Sequence, residues 1–229
     1  MAVKSNISQV VCGIMFSDTF KLFDKWGEIA DKILYSPTSK KIFGDNYYNR
    51  IGDNIGYQRV LTNSETNNNL RLTQSNLVVT HNVYNNDFDS AYQLLRNIMI
   101  KYIFPEIISP NILMVRRIGV VFSCPMEEES ITIYKKTIIN SDSCNLITDF
   151  RFSKKEPTPQ GLVQKGTENY VNKIISVGHL ADSVHGISYD YQYFFLPPNA
   201  EAERRLTDIF DQSLKSLCSD IFEKIEVKK

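Results

Sequence analysis

The chain of 229 residues carries 26 basic and 26 acidic side chains, is 42% hydrophobic and 11% aromatic, and holds four cysteines. That length can enclose one sizeable core without disulfides or a structural metal, and a zero formal net charge removes the general electrostatic pull of a dedicated nucleic-acid or anionic-membrane binder. Charged residues interrupt every apolar run well short of the ~20 residues a bilayer span requires, and the opening Met1-Ala2-Val3-Lys4-Ser5-Asn6 has no signal-peptide core, so a cytoplasmic protein with no membrane partner is expected.

Residues 8–16 form the first predicted element, a strand apolar on both faces and therefore expected to be buried on both. Ser17 or Asp18 then caps a helix in which Leu22, Phe23, Trp26, Ile29, Ala30, Ile33 and Leu34 recur at helical spacing, with Pro37 beyond its end. Residues 46–84 break into short β-like runs. Residues 70–73 and 77–84 flank Gln74-Ser75-Asn76 as a hairpin, and residues 63–69 read as an exposed polar loop.

Asp87 or Asp89 opens the second helix, with the stripe Phe88, Ala91, Tyr92, Leu95, Ile98, Met99, Tyr102 and Ile103, and Pro105 is expected to stop it. The stripe is wider than one-sided packing requires. Met99, Tyr102 and Ile103 are therefore candidates for an interface with a second subunit or a protein partner.

Residues 114–122 read as a strand with Arg116 and Arg117 near its start, and residues 130–139, 145–152, 170–177 and 186–196 as further β candidates. Residues 153–167, with Lys154-Lys155-Glu156-Pro157-Thr158-Pro159, lack periodicity and read as a loop or lid. In the last strand Ile187, Tyr189, Tyr191, Tyr193 and Phe195 share one face, which predicts a sheet half-buried against helices. Pro197 and Pro198 end it, and a closing helix follows with Leu206, Ile209, Phe210, Leu214, Leu217, Ile221, Phe222 and Ile225 on one side.

Strictly alternating βα units are missing. The expected architecture is a single α+β domain over residues 1–229, a mainly antiparallel sheet with three amphipathic helices packed on it. The first strand and helix are echoed by residues 77–84 and the helix after them, which admits an organisation in two related halves.

No phosphate-cradling glycine pattern, G-x-S-x-G elbow or H-E-x-x-H is present. Cys12, Cys124, Cys144 and Cys218 lack the spacing of a disulfide framework or thiolate zinc site and read as small buried apolar residues. The one condensed ligand set is His179, Asp182 and His185, with Asp190 nearby. Two imidazoles and a carboxylate on a strand-to-strand turn suit a transition metal. Glu127, Glu128 and Glu129 read as a solvated turn, and Arg116, Arg117, Arg151, Lys135, Lys136, Lys154 and Lys155 as material for a basic strip.

Ser8 to Phe16, Ser75-Asn76-Leu77-Val78-Val79-Thr80, Arg117-Ile118-Gly119-Val120-Val121-Phe122 and the terminal Phe222-Glu223 resemble a sporadically distributed bacterial family of uncharacterised proteins. That family follows its Arg-apolar-Gly strand with Tyr-x-Asn, where this chain has Phe122-Ser123-Cys124. The resemblance implies no activity. The expectation is a non-enzymatic interaction protein without a cofactor, self-associating or binding a protein partner, in a bacterial conflict or accessory system. The alternatives are a metal-assisted hydrolase or nuclease using His179, Asp182 and His185, and a small-ligand or nucleotide module lined by Tyr189, Tyr191 and Tyr193.

Overall fold

The computed structural model describes residues 7–17, 19–43, 47–51, 58–112, 114–139, 149–157, 170–181, 184–199 and 202–219. The chain is α+β. Among the described residues there are nine strands, β1 (Gln9–Phe16), β2 (Tyr47–Ile51), β3 (Gln58–Asn63), β4 (Asn69–Thr73), β5 (Asn76–Asn82), β6 (Val115–Pro125), β7 (Phe150–Pro157), β8 (Tyr170–Ala181) and β9 (Val184–Asn199). They form one sheet in the order β2-β3-β4-β5-β1-β6-β9-β8-β7, and every neighbouring pair is antiparallel.

The strand order has an internal symmetry about the central pair. With the edge strand β2 set aside as having no counterpart, β3, β4, β5 and β1 mirror β7, β8, β9 and β6. The matching segments are Cys12-Gly13-Ile14-Met15-Phe16 and Ile118-Gly119-Val120-Val121-Phe122. The halves thus begin at β1 and β6, whereas the echo visible in the sequence pairs β1 with β5.

Alternation along the strands assigns the two faces of the sheet. Val10, Cys12, Ile14 and Phe16 of β1, Leu77 and Val79 of β5, Ile118, Val120 and Phe122 of β6, and Tyr189, Tyr191, Tyr193 and Phe195 of β9 are buried in one cluster. The helices α1 (Lys21–Asp24), α2 (Trp26–Tyr35), α3 (Lys40–Phe43), α4 (Phe88–Ile98), α5 (Glu128–Ile139) and α6 (Ala202–Leu217) all send apolar side chains into that same cluster. Val11, Gly13 and Met15 of β1 point the other way and stay partly exposed, so β1 is buried on one face rather than both.

At the centre of the core Tyr92 stacks on Phe88, with centroids 5.6 Å apart, and meets Phe122 and Phe210, each at 5.7 Å. Such ring pairs contribute ~0.5–1.5 kcal/mol each beyond their burial. The Tyr92 hydroxyl donates to the Phe210 carbonyl, which ties α4 to α6.

Several local expectations change. The first predicted helix breaks at Lys25 into α1 and α2, and Thr19 Oγ1 accepts from the Lys21 N–H at its start. Asp87 does cap α4, accepting from the Ser90 N–H at 3.2 Å. Pro105 does not end that helix. The chain continues as a wide π-helical segment, Met99–Ile108, closed by a hydrogen bond from the Ser109 N–H to the Phe104 carbonyl.

Residues 130–139 lie in helix α5, not in a strand, because Ile131 and Tyr134, three residues apart, turn to the same core. Of the expected loop 153–167, Ser153 to Pro157 belong to β7, where ladder bonds to β8 satisfy the backbone of a charged segment; residues 158–167 lie outside the described residues. The polar loop 63–69 is partly interior. Asn63 and Asn68 are 2% exposed, because their side-chain amides donate to the carbonyls of Phe43 and Ile42 at the end of α3. Among the described residues no helix is long and apolar enough to cross a membrane.

Candidate functional site

Residues 178–186 read Gly-His-Leu-Ala-Asp-Ser-Val-His-Gly, a glycine and a histidine in mirror order around a short connection. Antiparallel pairing of β8 with β9 converts that order into contact: Gly178 lies opposite Gly186 and His179 opposite His185. The strands extend to Ala181 and from Val184, so both histidines stand in the ladder rather than in the turn where the sequence places them. The register shifts between His179 and Ala181, where regular pairing of the two strands ends.

The His179 and His185 Nε2 atoms are 2.8 Å apart, with ring centroids at 4.2 Å and planes inclined by 61°. Behind His179 stands Asp149, just before β7. Its Oδ1 accepts from the His179 backbone N–H at 2.8 Å, and its carboxylate faces His179 Nδ1 at 3.2 and 3.3 Å. Those two hydrogen bonds from His179 hold the Asp149 carboxyl below the ordinary carboxylate value.

Gly178 makes the approach of Asp149 feasible. Its φ is +144°, and a Cβ built there would fall 1.6 Å from Asp149 Oδ1. An open cavity of about 450 Å³ lies beside Asp149, Arg151, Ser176, His179 and Ser188. A second, of about 720 Å³, is lined by Ile7, Ser8, Asn86, Glu127, Ser130 and His185. The two histidines therefore bridge neighbouring hollows.

Of the three candidate metal ligands, His179 and His185 come together, and Asp182 lies outside the described residues. Among the described residues no group of three or more His, Cys, Asp or Glu side chains is placed to hold a metal ion. Asp149 is the partner that sequence reading missed. It lies 30 residues from His179, inside a stretch read as strand, and only the mirrored Gly-His and His-Gly hinted at a constructed pair.

The other candidates have structural positions. Tyr189, Tyr191 and Tyr193 are at most 2% exposed and line neither cavity, because their side of β9 is covered by helices; they are core residues, not a ligand wall. Met99 and Ile103 are fully buried, so the wide stripe of the second helix is covered within the chain and offers no outward interface. Tyr102 is partly buried, and its hydroxyl donates to the Lys32 carbonyl. Glu127 lines the larger cavity, and Glu128 and Glu129 occupy the first turn of α5, where carboxylates suit the helix dipole.

Arg117 and Arg151 both lie near enough to Asp190 to act on its carboxyl, whereas Lys154 and Lys155 turn to opposite faces of β7. Lys154 pairs with Glu156 at 3.0 Å on one face, while Lys155, its neighbour in an alternating strand, lies over the Tyr170 ring at 4.0 Å on the other. Arg117 donates to Gln192 Oε1 at 3.3 Å and lies over Phe194 at 5.6 Å.

The opposite face of the sheet is the second feature of note. Val11, Val78 and Val121 occupy it, and none belongs to the core cluster or packs against it. Gly13 pairs with both Val78 and Gly119, and Val11 with Val121, so these residues form one patch across β5, β1 and β6. Polar groups rim it and already satisfy one another. Gln9 Nε2 donates to Asn82 Oδ1 at 2.9 Å, and Gln192 donates to Asp190, whose carboxyl burial raises above its ordinary value.

The chain matches no family model, and no curated protein matches it.

Proposed function

We propose that this protein is a non-enzymatic interaction domain that self-associates through the sheet face opposite its helices. The observation that carries this reading is the patch of Val11, Gly13, Val78 and Val121, partly exposed, in register across three central strands and outside the core cluster. Among the described residues no helix packs on this sheet face, and its apolar centre suits burial against a like surface. A second copy of the chain is the occupant we infer.

The setting we propose is the cytoplasm of a bacterium, within an accessory or conflict system. Cys12, Cys124 and Cys218 as free thiols support the reducing compartment. Membership of the sporadically distributed family is part of the proposal, and the short motifs around Gly13 and Gly119 support it.

Sedimentation velocity over a range of protein concentrations tests the reading. A concentration-dependent dimer is expected for the native chain, and Val121→Lys should leave a folded monomer, because a buried unpaired ammonium opposes association. A native chain that stays monomeric throughout, or a Val121→Lys variant that dimerises as the native chain does, overturns it.

A further inference from the structure

We propose that His179 and His185 form a binding site for a divalent transition ion of borderline softness, Zn²⁺ or Ni²⁺, with Asp149 as the group that positions the first imidazole. The inference is independent of self-association, because it concerns the far end of the β8–β9 hairpin.

The chemistry begins with tautomers. A carboxylate accepts hydrogen bonds only, so Asp149 fixes the proton of His179 on Nδ1 and leaves the Nε2 lone pair free. That lone pair is aimed at His185 Nε2, 2.8 Å away. Two imidazole nitrogens converging on one point, one of them backed by a carboxylate, reproduce the carboxylate–histidine pairing that orients metal ligands and raises their basicity.

The spacing suits an ion after a small adjustment. With Zn–N bonds of about 2.0–2.1 Å in a tetrahedral site, two coordinating nitrogens stand about 3.3 Å apart. The rings need to separate by roughly half an ångström, and His185 takes the tautomer with its proton on Nδ1, so that its Nε2 lone pair faces the ion. His179 is half-exposed, so the rings have room to turn. Water fills the remaining positions, and on the His185 side these open toward the larger cavity.

Backbone construction indicates a built site rather than two histidines meeting by chance. Gly178 lacks the Cβ that would collide with Asp149, and Gly186 lacks one that would stand 2.2 Å from the Cys124 carbonyl oxygen. Each glycine is next to one of the histidines and lets the adjoining strand end approach. The third histidine, His81, is 7% exposed in the core, so imidazole binding at the surface depends on this pair alone.

Titration of the untagged full-length chain with Zn²⁺ and with Ni²⁺ by calorimetry tests the site, with histidine side-chain ¹H–¹⁵N spectra as a second readout. One ion per chain is expected, with both Nε2 resonances shifting, and His179→Gln and His185→Gln should each abolish binding. Asp149→Asn should keep the stoichiometry and weaken affinity about 10–100-fold, the usual effect of removing a partner behind a ligating histidine. Absence of saturable binding to the native chain, or binding that survives either histidine substitution, overturns the site; unchanged affinity in Asp149→Asn overturns the role of Asp149.

Discussion

Gly13 and Gly119 lie directly opposite each other in the β1–β6 pair, at the midpoint of the nine-stranded sheet and at the centre of its internal symmetry. Neither has a positive φ, and a Cβ built on either meets nothing closer than 3.7 Å. Backbone geometry thus does not require glycine at these two positions. What the pair supplies is a flat floor on the face away from the helices. Gly13→Ala and Gly119→Ala are each expected to raise the stability of the isolated chain by about 0.5–1 kcal/mol, the usual gain over glycine in a strand. Under the proposed self-association the methyl group at Gly13, the partly exposed member of the pair, should weaken the dimer, while that at buried Gly119 should leave it unchanged. Urea unfolding at low protein concentration, paired with sedimentation at high concentration, reads the two effects of Gly13→Ala with opposite signs.

Gly178 is the contrasting case. Its φ of +144° excludes ordinary side chains, and Asp149 occupies the space a Cβ would need. Gly178→Ala should cost about 1–3 kcal/mol through backbone strain and displacement of Asp149. Gly27→Ala in α2, where nothing lies within 4 Å of the added methyl, should instead stabilise by about 0.5–1 kcal/mol. Urea midpoints of the two variants against the native chain provide the comparison.

Burial lowers the His81 pKa from 6.5 to about 4. In this window the unfolded chain takes up a proton that the folded chain refuses, so folding stability falls as pH drops from 6.5 and levels off below about 4. The loss attributable to His81 is roughly 3 kcal/mol by pH 4, from 1.36 kcal/mol per pKa unit. Above pH 6.5 His81 contributes no slope. Subtracting the stability–pH curve of His81→Gln from that of the native chain should isolate this segment; a difference that stays flat between pH 6.5 and 4 would contradict it.

The class of fold was legible from pattern. Helical spacing in residues 22–34 and 88–103 and period-2 alternation in residues 187–195 named the α+β architecture, since amphipathic periodicity is a local property. Element type failed where the same apolar residues suit both periods. Ile131, Ile133 and Tyr134 read as strand yet lie in α5. The outcome of Pro105 also depended on context, because a wide-turn helix buried on one side retained it.

The sequence by itself determined the amphipathic stripes and the alternating faces, since periodicity is written locally wherever a strand or helix forms. It also contained the mirrored Gly-His and His-Gly whose pairing follows from any tight hairpin. Only the tertiary structure decided which surfaces remain. Strand order turned one apolar face toward the described helices and left Val11, Val78 and Val121 on the other, and it brought Asp149 behind His179 from 30 residues away. Such placements depend on contacts distant in the chain, which local periodicity does not encode.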